Sequence, residues 1–173
     1  MVNFALLSVR NHPILNSLLK ELEEINCKPK CVIFDQKNLT KKEIDRYCER
    51  TGKKLYDIDF FKNSDFKFSK FDVKNHNDDN ATKLVQELDL DFLINAGTPR
   101  ILKERIIIST RLGVLNCHPG ILPYFKGCSC VEWSIFNDKP IGNTIHWMDE
   151  GIDTGPIIKT QKTKCFYSDT YQD

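Results

Sequence analysis

Asn116 and His118 stand two residues apart just after the apolar pair Val114 and Leu115, and Asp153 lies in a loop, 148–156, with two further acids and two glycines. Residues two apart on an extended chain point the same way. The Asn116 amide and the His118 imidazole are therefore expected to face one pocket. The pair suits carbonyl chemistry, because an amide N–H can donate to a developing oxyanion and an imidazole gives or takes a proton near neutral pH. Alone, the two residues read more simply as a turn-capping asparagine and a loop histidine. The 148–156 loop changes that reading. Gly151 and Gly155 permit backbone conformations that a β-carbon forbids, and a merely solvated acidic turn has no need of them around one aspartate.

Such residues must be presented by a framework, and the hydrophobic pattern supplies one. Residues 2–9 form an apolar run of strand length. After Pro13, Ile14, Leu15, Leu18, Leu19, Leu22 and Ile25 recur at helical spacing. A second strand over 31–34 is followed by a helix with Thr40 as N-cap, Glu43 three residues on and Gly52 as C-cap. Residues 57–80 read as loop, with one short strand near 71–73. A helix over about 80–88 and a strand over 92–95 follow, then a turn at 97–99 and a helical segment reaching about 107. The remaining expectations are a strand at 114–116, a helix from beyond Gly127 to Phe136, and strands over 143–148 and 156–160. Strands alternating with helices predict an α/β fold with a mostly parallel sheet and helices on both faces, forming one domain over residues 1–173. In such sheets ligands sit beyond the carboxyl ends of the strands. That singles out residues 95–102, 116–127 and 149–155.

Composition narrows the class. The 173 residues, 40% apolar and 28% charged, are enough for one sizeable core. They contain no apolar run long enough to span a bilayer and no signal-peptide pattern at the start, so a cytoplasmic protein is expected. The net charge of +1 comes from interspersed signs rather than a basic block, so nucleic acid is not demanded as a partner. Seven cysteines without a secretory signal indicate reduced thiols. Cys128 and Cys130, with no second ligand pair nearby, do not make a metal site. His12 and His76 are read as surface residues, His146 as a satisfied strand histidine, and Tyr124, Phe125 and Trp133 as core or rim packing in preference to stacking faces for a ligand.

The segments NCHPGILPYFKG (116–127) and HWMDEGIDTGPII (146–158), with NAGTPRIL (95–102), resemble the signature segments of the folate-dependent formyltransferases. These include methionyl-tRNA formyltransferase, glycinamide ribonucleotide formyltransferase and the enzymes that formylate nucleotide-linked amino sugars. The resemblance is strong over about residues 90–160 and rests on pattern before that. It implies a Rossmann-like sheet, 10-formyltetrahydrofolate as formyl donor, and Asn116, His118 and Asp153 as catalytic residues. It further implies a cofactor surface at Thr98, Arg100, Ile101, Leu102, Met148, Asp149, Gly151 and Asp153, largely through backbone groups, and acceptor contacts at Gly120, Lys126 and Gly127.

The acceptor is narrowed by departures from the family. Glycinamide ribonucleotide enzymes have a glycine-rich phosphate turn after the first strand; here that stretch, 8–13, has no glycine. The tRNA enzymes carry a second, basic domain, which this chain is expected to lack. Pro119–Gly120 after His118 is closer to the amino-sugar enzymes. A small-molecule amine on a nucleotide-linked sugar is therefore expected, with methionyl-tRNA and glycinamide ribonucleotide as alternatives. Readings of another class are a non-catalytic folate-binding module and a formyltetrahydrofolate hydrolase. The chain ends near Tyr171, where the family continues into a helix over the sheet. That implies a truncated domain, or one completed by self-association through the apolar Cys165, Phe166 and Tyr167.

Overall fold

The structure is a computed structural model describing residues 2–50, 67–166 and 168–169. The expected cap at Gly52, the 57–66 part of the expected loop, and Tyr167 lie outside the described residues.

Strands β1 (Phe4–Ser8), β2 (Cys31–Asp35), β3 (Ser69–Val73), β4 (Phe92–Asn95), β5 (Val114–His118), β6 (Ile141–Trp147) and β7 (Ile157–Thr163) form one sheet in the order β3-β2-β1-β4-β5-β6-β7. The first five run parallel, while β6 and β7 are antiparallel additions at one edge. The connections hold helices α1 (Pro13–Glu24), α2 (Lys41–Arg50), α3 (Asp79–Glu87), α4 (Glu104–Ile107) and α5 (Cys130–Phe136).

Alternation along the central strands builds a core on each face. Ala5, Leu7, Ile33, Leu93 and Val114 point to one side, against Ala81 and Val85 of α3 and Ile106 and Ile107 of α4. Phe4, Leu6, Val32 and Phe34 point to the other, against Leu15, Leu19 and Leu22 of α1. A strand buried on both faces reads as a continuous apolar run, which is why β1 and β2 are legible in the sequence.

The helix starts have local causes. Glu43 accepts from the Thr40 N–H at 2.8 Å, and Thr40 Oγ1 accepts from the Glu43 N–H at 3.4 Å, the reciprocal capping box. Pro13 opens α1, with His12 as N-cap accepting from the Ile14 N–H through Nδ1 at 3.2 Å. His12 and His76 are not surface residues, being only 5% and 0% exposed. The His12 ring packs edge-on to Tyr47 and lies against Gly97, whose backbone has φ +94°; a β-carbon there would run into the ring. Burial pushes the His12 pKa down to about 4, so the capping nitrogen stays an acceptor at neutral pH.

β5 runs two residues beyond its expected end at Asn116, so Cys117 and His118 belong to the strand as well. The helical segment before Ile107 is only four residues long. Among the described residues no helix is long and apolar enough to cross a membrane.

Candidate active site

Strand register brings the three expected catalytic residues together. Opposite Asn116 in β6 is His146, and opposite His118 is Thr144. Directly opposed residues are near neighbours, and the Asn116 amide nitrogen lies 3.1 Å from His146 Nε2. From the loop after β6, Asp153 reaches back with Oδ2 at 3.2 Å from His118 Nδ1 and Oδ1 at 3.5 Å from His146 Nε2. Its backbone is left-handed, φ +52°, a region that aspartate visits more readily than most residues. That turn aims the carboxylate inward, where Oδ2 also accepts from the Gly127 N–H at 2.8 Å.

His118 is buried and engaged on both sides. Nε2 donates to the Phe125 carbonyl at 2.8 Å, and the Cys130 sulfur lies 3.3 Å from the same nitrogen. A carbonyl on one side and a carboxylate on the other are both acceptors, which a doubly protonated ring satisfies together. Burial first, then the Asp153 charge, pushes the Cys130 thiol up, so it remains a neutral neighbour of the ring. The 119–127 loop is hooked onto β6 by Thr144, whose hydroxyl donates to the Gly120 carbonyl at 2.7 Å and accepts from the Leu122 N–H at 3.1 Å. Gly120 has no room for a side chain, since a β-carbon would fall 2.8 Å from both Cys130 Cβ and His118 Nε2.

The expected cofactor residues divide by what their side chains do. Leu102 is buried in the core, leaving only its backbone for a ligand, and Met148 packs against that core while only partly buried. Ile101 is exposed, with its carbonyl accepting from Asn77 at 3.0 Å. Asp149 braces its own loop, accepting from the Gly151 N–H at 3.0 Å and the Thr154 hydroxyl at 2.6 Å. The Thr98 hydroxyl is held by His76 Nδ1 at 2.7 Å, since His76 Nε2 donates to the Ile33 carbonyl at 3.0 Å. Among the acceptor candidates, Lys126 is exposed and Gly120 and Gly127 contribute backbone only. Tyr124 and Trp133, expected as packing, are 81% and 56% exposed.

The Arg100 side chain is turned to Asp35, the buried last residue of β2, with a two-pronged contact of 2.9 Å at each bond. Burial alone would raise the Asp35 pKa. Arg100 and the N–H groups of Lys37 and His76 outweigh it and hold the carboxyl below its ordinary value. The clamp ties the 97–103 loop to the centre of the sheet. Asp35→Asn is expected to destabilise the protein by about 2 kcal/mol at neutral pH. Because the folded-state pKa lies below the unfolded value of ~3.9, the contribution is complete above that value and is lost as pH falls through the folded one. Urea unfolding should show the gap between parent and variant narrowing below about pH 4. A gap equal at pH 7 and in strong acid would contradict the clamp.

Two residues of this cluster escaped the sequence reading as site members. His146 is buried and hydrogen-bonded as expected, but its partner is Asn116. Asn95 donates to Asn116 Oδ1 at 3.0 Å; its sequence signals are its place at the start of the singled-out 95–102 segment and an amide able to bond the backbone two residues on.

Residues 20–173 match the sequence model described as formyl transferase. The methionyl-tRNA formyltransferase of Methylacidiphilum infernorum is 36% identical over 101 residues, 58% of this chain and 32% of that protein. That of Finegoldia magna is 34% identical over 92 residues, 53% of this chain and 30% of that protein. The matched segment thus spans about a third of the length of these curated relatives. Among solved structures, a phosphoribosylglycinamide formyltransferase from Bacillus halodurans superposes with a TM-score of 0.66 at 20% identity, covering 98% of this chain and 84% of that one. A sugar N-formyltransferase from a Shewanella species gives 0.64 at 22% identity, covering 99% and 61%. At these identities the structural matches establish the fold.

Proposed function

Because this chain belongs to the formyl transferase family, with a match that runs through Asn116, His118 and Asp153, we propose that it transfers a formyl group from 10-formyltetrahydrofolate to the primary amine of a nucleotide-linked amino sugar. The observation that carries the reading is a continuous run of contacts from Asn116 to His146 at 3.1 Å, from His146 to Asp153 at 3.5 Å and from Asp153 to His118 at 3.2 Å. The donor set fits a formyl group. Asn116 uses one N–H toward His146 and has a second available for a carbonyl oxygen. The single sheet running from β1 to β7 supports reading residues 1–173 as one catalytic domain.

The folate supplies the formyl carbon and the nitrogen that leaves it. As the acceptor amine bonds to that carbon, charge gathers on the formyl oxygen, where Asn116 stabilises it by donation and protonated His118 by its nearby positive charge. The attacking nitrogen must shed a proton and the departing one must gain one. Asp153 holds the His118 ring through Nδ1 and relays that proton through water.

The acceptor assignment is supported by the turn after β1. A phosphate at the start of α1 would need free backbone N–H groups, yet the Ile14 N–H is already taken by neutral His12. That weighs against a ribonucleotide phosphate seated there. Exposed Tyr124 and Trp133 offer faces for a base or sugar. Methionyl-tRNA is the second reading, favoured by the names of the relatives at 36% and 34% identity.

The test is consumption of 10-formyltetrahydrofolate, followed by absorbance, with nucleotide-linked 3-amino and 4-amino sugars, glycinamide ribonucleotide and charged initiator tRNA offered in turn. Turnover with an amino sugar is expected. Turnover with the tRNA alone moves the assignment to the second reading, and formate released without any acceptor makes the protein a hydrolase. Folate binding with no turnover would make it a binding module.

A further inference from the structure

An asparagine side chain has a donor half and an acceptor half of nearly the same shape. Which half Asn116 turns toward a substrate carbonyl decides whether the site can stabilise negative charge there. Two anchors outside the catalytic trio dictate the answer. At the end of β4, Asn95 Oδ1 accepts from the backbone N–H of Gly97 at 3.1 Å and of Thr98 at 3.0 Å. A backbone N–H cannot act as an acceptor, so the Asn95 amide cannot turn over, and its NH₂ must face β5. There it donates to Asn116 Oδ1 at 3.0 Å. At the other end, His146 Nδ1 lies 2.9 Å from the Trp147 carbonyl, which only accepts. Nδ1 therefore carries a proton, and in the neutral ring Nε2 offers a lone pair to the Asn116 amide nitrogen at 3.1 Å, with Asp153 Oδ1 farther off at 3.5 Å. Both ends demand the same orientation.

We propose that Asn95 is a positioning residue that, with His146, locks Asn116 with its NH₂ toward the reacting carbonyl; this rests on the formyl-transfer reading. A simpler role for Asn95 would be to cap its own turn. That role uses only Oδ1, and an aspartate would serve it as well. The half that touches Asn116 is the one that aspartate lacks.

Asn95→Asp keeps the turn contacts but opposes an acceptor to Asn116 Oδ1, which favours the reversed amide. With the proposed acceptor, kcat should fall at least about tenfold while the donor KM stays within about threefold. In an Asn116→Ala background the same change should alter kcat by less than about twofold, because the residue acts through Asn116. Independently of turnover, the side-chain NH₂ resonances of Asn116 in a ¹H–¹⁵N spectrum should shift in Asn95→Asp. A kcat within about twofold of the parent, or an undiminished loss in the Asn116→Ala background, overturns the proposal. If the parent chain formylates no acceptor, the functional reading fails by itself and the spectrum decides the lock. Unmoved Asn116 resonances overturn it, and shifted ones support it.

Discussion

His118→Asn is expected to lower kcat by roughly 100- to 10,000-fold, the range for losing a positioned acid–base group, with the donor KM little changed. The native ring faces the Phe125 carbonyl with one nitrogen and the Asp153 carboxylate with the other. The shorter asparagine amide cannot span both, and it carries no titratable proton. Folding should survive, because the 119–127 loop is tied down by Thr144 through the Gly120 carbonyl and the Leu122 N–H, neither of which involves the ring. Single-turnover rates of formyl loss from the folate, measured with circular dichroism on the same sample, separate chemistry from unfolding. A well-folded variant within about threefold of the parent would show His118 to be a packing residue.

Asn116→Ala is expected to cost about 100- to 1,000-fold in kcat, the effect of deleting one oxyanion donor. The change also strands the Asn95 NH₂ and His146 Nε2. Asn116 is half-buried, and water can take over part of those bonds, so the accompanying loss of stability should be about 1 kcal/mol. Asn116→Asp sharpens the test. It keeps the shape but places negative charge where negative charge must develop, and it should be at least as impaired as the alanine variant. Near-normal turnover by either variant at saturating substrates would remove Asn116 from the mechanism.

The meeting of Asn116, His118 and Asp153 is legible because its signals are local: two polar residues at strand spacing, and an aspartate between glycines. The doubly buried strands β1 and β2 were legible because both of their faces are apolar. What the sequence hides is the direction in which long or polar side chains turn. Arg100 stands among the expected folate contacts, yet its side chain points to Asp35 at the end of another strand. His12 and His76 were expected at the surface because histidine is rarely core; they are buried by partners distant in the chain, Gly97 for the one and Ile33 and Thr98 for the other. The antiparallel pairing of β6 with β7 had a readable signal that went unused, since the 148–156 connection is too short for the crossover that parallel neighbours require. Asn95 lies in a segment the sequence marks, but its individual role is hidden because its contact is made sideways onto β5, and nothing in its own segment reveals that neighbour.

Gly97 meets the His12 ring with no space for even one more carbon. His12 caps α1 in the turn after β1, and Gly97 belongs to the turn that orients Asn95 and, through it, Asn116. The turn after β1 and the turn after β4 are therefore one packed unit of this protein. Replacing His12 by glycine would leave a void against Gly97, so under the proposed reading a new anion cradle at the first turn would need a compensating change at the second.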